Sequence, residues 1–174
     1  MRTDYRASID KFDLTVLLPF LKARILPVVL EIGTWKGFST ELWWNELQPH
    51  LLITLEKDNE NPDGIRIISN NIHYLFNSDS HDINVIQTVK RILDNQPVNF
   101  LFIDGDHSYN GVKQDFEMYL PLVKSPGIIA FHDALYHADK TEEVDMFWQE
   151  IKKEYPFVEI KVSKESTGIG VIFV

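Results

Sequence analysis

The chain has 174 residues, with 17 Lys and Arg against 26 Asp and Glu, and no cysteine. The net charge of −9 argues against general nucleic-acid binding, which needs Lys and Arg to neutralise phosphates, and against an anionic membrane surface as partner. The absence of cysteine excludes a disulfide scaffold, a thiolate zinc site and a cysteine nucleophile, and this length predicts a single domain, 1–174, with its own core.

Residues 1–26 read as an N-terminal helical segment. Leu14, Leu17, Leu18 and Leu21 fall on one helical face, which can pack on the core, cover a site or make a homodimer contact; core packing is the expectation. The apolar run from Leu14 to Leu21 contains Pro19 and is followed by Lys22 and Arg24. A membrane span needs about 20 apolar residues, and a signal peptide needs a basic start and a small-residue cleavage site. A cytoplasmic location is therefore expected.

Beyond this segment strands and helices alternate. Residues 28–32 form an apolar, β-branched strand that ends in a glycine turn. A helix is predicted over 39–47, strands over 51–55 and 72–76, and a helix over 82–93, where Ile83, Ile86, Val89, Ile92 and Leu93 make one stripe. Between 57 and 71, Pro62 and Gly64 leave any helix short or absent. A strand over 99–103, a helix over 109–123, a strand over 127–132 and a helix over 141–154 follow. Strands over 157–162 and 168–174 close the chain with only a hairpin-length connection, so the last is predicted antiparallel. The fold class is α/β, with a mostly parallel sheet covered on both faces.

In such sheets ligands sit beyond the carboxyl ends of the strands, where strand order reverses. After the first strand comes Glu31-Ile32-Gly33-Thr34-Trp35-Lys36-Gly37. Gly33 and Gly37 allow a sharp turn and a close approach of a ligand to the backbone. A dinucleotide fingerprint needs a third glycine, and Glu31 at the strand end would repel a pyrophosphate. A ligand bearing positive charge, such as S-adenosylmethionine, suits the loop better. Glu56 ends the second strand about 20 residues further on, where an acid can accept from both ribose hydroxyls.

The densest polar cluster is Asp104-Gly105-Asp106-His107-Ser108 after the fourth strand, joined by His132-Asp133 after the fifth. Carboxylates with an occasional His suit Mg²⁺ or Mn²⁺. Singly, Asp106 or Ser108 reads as a helix cap and Asp133 as a turn residue; the cluster as a whole reads as functional. His50, His73 and His81 read as surface or strand-edge residues. Trp43, Trp44 and Trp148 read as core or partner contacts. His137, in the loop 136–140, could overhang an acceptor pocket.

EIGTWKGFST at 31–40, LEKD at 55–58, FIDGDHSYNGVKQDFE at 102–117 and GIIAFHD at 127–133 together resemble the class I S-adenosylmethionine-dependent methyltransferases. The resemblance is to a branch of small bacterial proteins with an IDGDHSY…HD motif, related to the catechol and caffeoyl-CoA O-methyltransferases. It implies a Rossmann-like three-layer sandwich whose seven-stranded, mostly parallel sheet has an antiparallel last strand. It implies that Glu31, Gly33 and Gly37 line the methionine part of the donor, with Thr34 and Trp35 of the same loop as further cofactor-binding residues, Trp35 placed to stack on the donor or cover it. Glu56 would hold the ribose, Ser78 and Asp79 would approach the adenine, and Asp104 would lie near the donor. Asp104 and Asp133 match the metal aspartates of the metal-dependent relatives, with His132 or Asp106 as a substitute ligand because Ala134 stands where those relatives carry Asn. His107 stands where they carry a Lys base, and a base near neutral pKa suits a hydroxyl acceptor.

The leading function is O-methylation of a small molecule or sugar, with His107 as base and Asp104 beside it. Two alternatives remain at this stage. One is a non-catalytic or partner-dependent S-adenosylmethionine-binding module. The other is a dinucleotide-binding oxidoreductase, which the glycine count and Glu31 disfavour.

Overall fold

The computed structural model describes residues 3–58, 69–135, 143–164 and 166–174, with 3–12 described as backbone. Strands Val28–Ile32 (β1), Leu51–Leu55 (β2), Ile72–Leu75 (β3), Val98–Ile103 (β4), Val123–His132 (β5), Phe157–Ile160 (β6) and Ile169–Phe173 (β7) form one seven-stranded sheet. Its order is β3-β2-β1-β4-β5-β7-β6. The first five strands run parallel, and β7 is antiparallel to both β5 and β6. The helices are Thr3–Lys22 (α1), Phe38–Leu47 (α2), Ile83–Leu93 (α3), Tyr109–Tyr119 (α4) and Val144–Ile151 (α5). No described helix is long and apolar enough to cross a membrane.

The layers follow from the pleat. Side chains alternate across a strand, so Val28, Leu30 and Ile32 pack with Val89 of α3, Val112 and Phe116 of α4 and Phe147 and Trp148 of α5. Val29 faces the other way, onto Leu17 and Leu21 of α1 and Trp43 of α2. Every residue of β1 is buried because both faces are covered. Trp43 stands edge-on to Phe100 and Phe102, with ring centroids 5.2 Å away in each pair. Each such large side chain, once fully buried, contributes roughly 1.5–3 kcal/mol.

The leucine face of α1 does pack on the core, as Leu14, Leu17, Leu18 and Leu21 are all buried. An unexpected polar contact fixes this helix. Asp13, fully buried, accepts from the Val162 amide at 2.9 Å and from the Ser166 hydroxyl, tying α1 to the β6–β7 connection. Asp13→Ala strands both donors and is expected to cost about 1–3 kcal/mol. The readout is a lowered urea midpoint at constant m; an unmoved midpoint would show that this contact does not hold α1.

Several boundaries differ from expectation, most of all around α4 and β5; α5 also ends at Ile151 and not at 154, and β6 at Ile160 and not at 162. The predicted helix over 109–123 ends at Tyr119, gives way to a 3₁₀ turn at Leu120–Leu122, and releases Val123 into β5. Pro121 has no amide hydrogen for the helical ladder, which accounts for the early stop. β5 starts at Val123 and not at 127, with a register shift where Val98 pairs Val123 but Phe100 pairs Ile128. The first residues of the predicted helix over 141–154 lie outside the described residues, as does most of the stretch between 57 and 71.

Candidate functional site

Strand order reverses between β1 and β4, and the carboxyl ends of β1, β2, β4 and β5 open there onto a cavity of about 600 Å³. Its wall includes Gly33, Thr34, Trp35, Glu56, Ser78 and Asp79, together with Asp104, His107, His132 and Asp133.

The β1–α2 turn depends on its glycines. Gly33 has φ +93°, and a Cβ there would lie 2.0 Å from the Asp104 carbonyl oxygen. Gly37 has φ 75° at the start of α2. The amides of Gly33 and Thr34 donate to the Leu55 carbonyl at 2.9 and 3.1 Å, and the Asp104 amide donates to Ile32 at 2.8 Å. The turn is thereby clamped between β2 and β4. Trp35 adopts φ 42°, a left-handed conformation uncommon for a bulky side chain, and is 59% exposed at the cavity. Its amide donates to Glu56 Oε2 at 2.6 Å, and the Asp58 amide donates to Oε1 at 3.1 Å.

Glu31, expected beside the ligand, is elsewhere. It is fully buried, does not line the cavity, and points with Val29 into the α1/α2 layer. Its carboxylate accepts from Thr40, from Thr54 at 2.7 Å and from the Trp43 indole at 3.1 Å. Burial pushes its carboxyl up to about 7, against the hydrogen bonds from Ser39, Thr40 and Thr54. It braces the turn from behind.

On the β3 side Ser78, Asp79, Ser80 and His81 all reach the wall. Lys57 Nζ pairs with Asp79 Oδ2 at 2.9 Å, and the His81 amide donates to Asp79 Oδ1 at 3.0 Å. These bonds, the lysine's first, hold the Asp79 carboxyl below its usual range. His81, expected at the surface or at a strand edge, lies on the cavity wall. Its only sequence signal was the run of polar residues from Ser78 to Asp82 directly after a strand. Its ring meets α4, with Nε2 3.1 Å from Asp115 Oδ1 and 3.2 Å from the Gly111 carbonyl. Burial pushes the Asp115 carboxyl up to about 6, opposed by Ser80 and His81. His50 bonds Gln96 at 2.6 Å and is not on the wall.

The ends of β4 and β5 bring together the predicted reaction cluster. His107 Nε2 is 3.3 Å from Asp104 Oδ1, and its Nδ1 is 3.1 Å from Asp133 Oδ2. His132 Nδ1 stands 3.2 Å from the same Asp104 oxygen and 3.3 Å from the same Asp133 oxygen. Two imidazoles and two carboxylates thus form a closed ring. Burial alone would lower His132, but Asp104 and Asp133 outweigh it and hold the imidazolium well above the usual range. Burial would likewise raise Asp133, yet the two histidines and Thr167 hold it far below. Asp104 is also lowered, His132 and His107 overcoming its desolvation. Asp106 is not in the ring: it accepts from the Ser108 amide at 2.9 Å, while Ser108 caps α4 through Gly111. Among the described residues, Asp104, His107 and Asp133 form a metal-sized group, one donor atom from each lying within 4.8 Å of the others. The buried His132 Nδ1 makes no hydrogen bond of good geometry and points between both carboxylates. His137 and the loop 136–140 lie outside the described residues.

A family model described as a methyltransferase domain matches residues 30–134. The uncharacterized protein R132 of Acanthamoeba polyphaga mimivirus is 31% identical over 115 residues, a match covering 60% of this chain and 50% of that protein. The chain therefore spans about half the length of the curated relative it matches. Among solved structures, the O-methyltransferase TomG of Streptomyces achromogenes, in complex with SAM, is 16% identical with a TM-score of 0.68, covering 92% of this chain and 78% of that one. The MycE methyltransferase of the mycinamycin pathway, in complex with Mg, SAH and mycinamycin VI, is 17% identical with a TM-score of 0.60, covering 91% of this chain and 47% of that one. At these identities the likeness concerns the fold.

Proposed function

The chain belongs to the methyltransferase domain family, and we propose that it transfers a methyl group from S-adenosylmethionine to a hydroxyl oxygen of a small-molecule acceptor. The observation that carries this reading is the convergence, at the sheet's switch point, of a glycine turn, a ribose-suited acid and a His–Asp ring on one cavity. Solved proteins of the same fold carry SAM, or SAH with Mg.

The chain's own residues divide the work. Gly33 and Thr34 let the donor's methionine end lie against bare backbone. Glu56 is oriented by the Trp35 and Asp58 amides and keeps lone pairs for a ribose diol. His107 accepts the acceptor's hydroxyl proton as the oxygen attacks the methyl carbon. The C–O bond forms while the S–CH₃ bond breaks, and its electron pair stays on sulfur. In the neutral ring the Nδ1–H of His107 donates to Asp133, 3.1 Å away, which orients the ring and leaves the Nε2 lone pair to take the proton; Asp104, 3.3 Å from Nε2, then stabilises the imidazolium that results.

The donor set fits a divalent cation such as Mg²⁺ or Mn²⁺, on the 4.8 Å grouping and the unbonded His132 nitrogen. Asp104 and Asp133 of that grouping would hold it with His107 as third ligand, or with His132 in its place, which leaves His107 as base. A cation there would supply Lewis-acid stabilisation of the acceptor oxyanion.

Calorimetric titration with S-adenosylhomocysteine tests the donor site. Wild type is expected to bind, and Glu56→Ala to bind roughly 10- to 100-fold more weakly. Absence of binding by wild type would overturn the methyltransferase reading in favour of a partner-dependent role. Titration with Mn²⁺, followed by its paramagnetic resonance signal, tests the metal. Asp133→Asn is expected to abolish tight binding, and equal binding by the variant would remove Asp133 as a ligand.

A further inference from the structure

His107 lies on a loop, Asp104 to Ser108, between β4 and α4. A reacting group on a loop keeps its aim only if the surrounding structure holds its main chain. The loop starts on the sheet, where the Asp104 amide donates to the Ile32 carbonyl at 2.8 Å. It ends against the start of α5. The Glu143 amide donates to the His107 carbonyl at 2.8 Å, and Glu143 Oε2 accepts from the Tyr109 amide at 3.0 Å. One residue thus grips the main chain on both sides of Ser108, once with its backbone and once with its side chain.

Glu143 does not use its carboxylate on its own helix. It stands at the N-cap of α5, where a polar side chain commonly accepts from the first helical amides, yet it makes no such bond. It reaches across to α4 instead. That helix has caps of its own: Ser108 Oγ accepts from the Gly111 amide at 3.0 Å, and Asp106 Oδ1 accepts from the Ser108 amide at 2.9 Å. Further along the same face of α5, the Phe147 ring stands edge-on to Tyr109 at 6.1 Å, and Glu150 Oε2 accepts from the Tyr109 hydroxyl at 2.5 Å. Glu150 also pairs with Lys113 at 3.2 Å. Phe147 and Glu150 join helix to helix, whereas Glu143 is bonded to the loop that carries His107.

Asp133 orients the His107 ring through Nδ1, but a ring is aimed only as well as the backbone behind it. A misplacement of about 1 Å can cost on the order of 10²-fold in rate. We propose that Glu143 is a positioning residue for His107, holding the loop so that Nε2 is directed into the cavity. Glu143 is not on the cavity wall and touches neither donor nor acceptor. The catalytic meaning of this hold rests on His107 acting as the base.

Nuclear magnetic resonance of the imidazole carbon–hydrogen groups, with isotope-labelled histidine, follows the ring without donor or acceptor. The His107 signals are identified by their loss in His107→Gln. Glu143→Ala is expected to shift them by more than a linewidth. Glu143→Gln, uncharged but still able to accept from the Tyr109 amide, is expected to return them to the wild-type position. Glu150→Ala breaks the tie between the helices away from the loop and is expected to leave them in place. S-adenosylhomocysteine affinity in Glu143→Ala is expected to stay within about threefold of wild type. Unmoved signals in Glu143→Ala overturn the inference. An equal shift in Glu143→Gln overturns it too, because loss of charge alone would then explain the change. So does an equal shift in Glu150→Ala, which would make Glu143 one part of a general helix contact. If wild type binds no S-adenosylhomocysteine, the methyltransferase reading fails, while the ring signals still decide whether Glu143 holds His107.

Discussion

His107→Ala is expected to lower kcat by about 10²–10⁴, the usual worth of a positioned general base, and to leave S-adenosylhomocysteine affinity within about threefold. The split follows from where the side chain lies. His107 is at the end of β4 between Asp104 and Asp133, whereas Glu56, the proposed ribose ligand, is two strands away at the end of β2. The substitution also leaves two carboxylates facing each other with only His132 between them. His107→Gln keeps a polar group at that point and serves as control, since it can bond to a carboxylate but cannot take the proton at neutral pH. Both variants should lose kcat. An unchanged kcat in either one would remove His107 from the chemistry, and a collapse of donor affinity would recast it as part of the binding site.

Gly33→Ala is expected to abolish measurable donor binding and activity, and to lower stability by about 3 kcal/mol or more, the combined cost of a forced left-handed backbone and a main-chain clash. Gly33 has φ +93°, and the added Cβ would meet Asp104 oxygen at 2.0 Å and Asp104 carbon at 2.6 Å. Both are backbone atoms, so no flexible side chain can yield. Either the β1–α2 turn or the start of the β4–α4 loop must move. The first carries the Trp35 amide that orients Glu56, and the second carries Asp104 itself. At about 2–4 °C per kcal/mol for a chain of this size, Tm should fall by roughly 6–12 °C. A variant with wild-type Tm and normal donor affinity would mean that the turn is not the rigid element described here. These two changes separate chemistry from scaffold: His107→Ala should bind without turning over, and Gly33→Ala should do neither.

Much of this molecule could be read from its residues in order. The runs 28–32, apolar but for Glu31, and 100–103 announced strands covered on both faces, and the stripe from Ile83 to Leu93 announced a helix. The hairpin-length link before β7 announced an antiparallel strand. Gly33, Gly37, Glu56, Asp104, His107 and Asp133 were legible as candidate site residues because turn chemistry and strand ends are local, and all but Gly37 line the cavity. Glu31 was misjudged for a different reason. The same alternation that identifies a strand sends its carboxylate into the sheet's α1/α2 layer, and only the partners Thr40, Trp43 and Thr54 reveal which layer that is. His81 and Asp115 are 34 positions apart, and Asp13 and Ser166 are further still. Periodicity and turn signals act over a few residues, so they set the elements and the direction of the chain. Which buried polar groups meet, and that β7 slots between β5 and β6, depends on pairing across the whole chain, where the cost of leaving a buried donor or acceptor unpaired selects the partners.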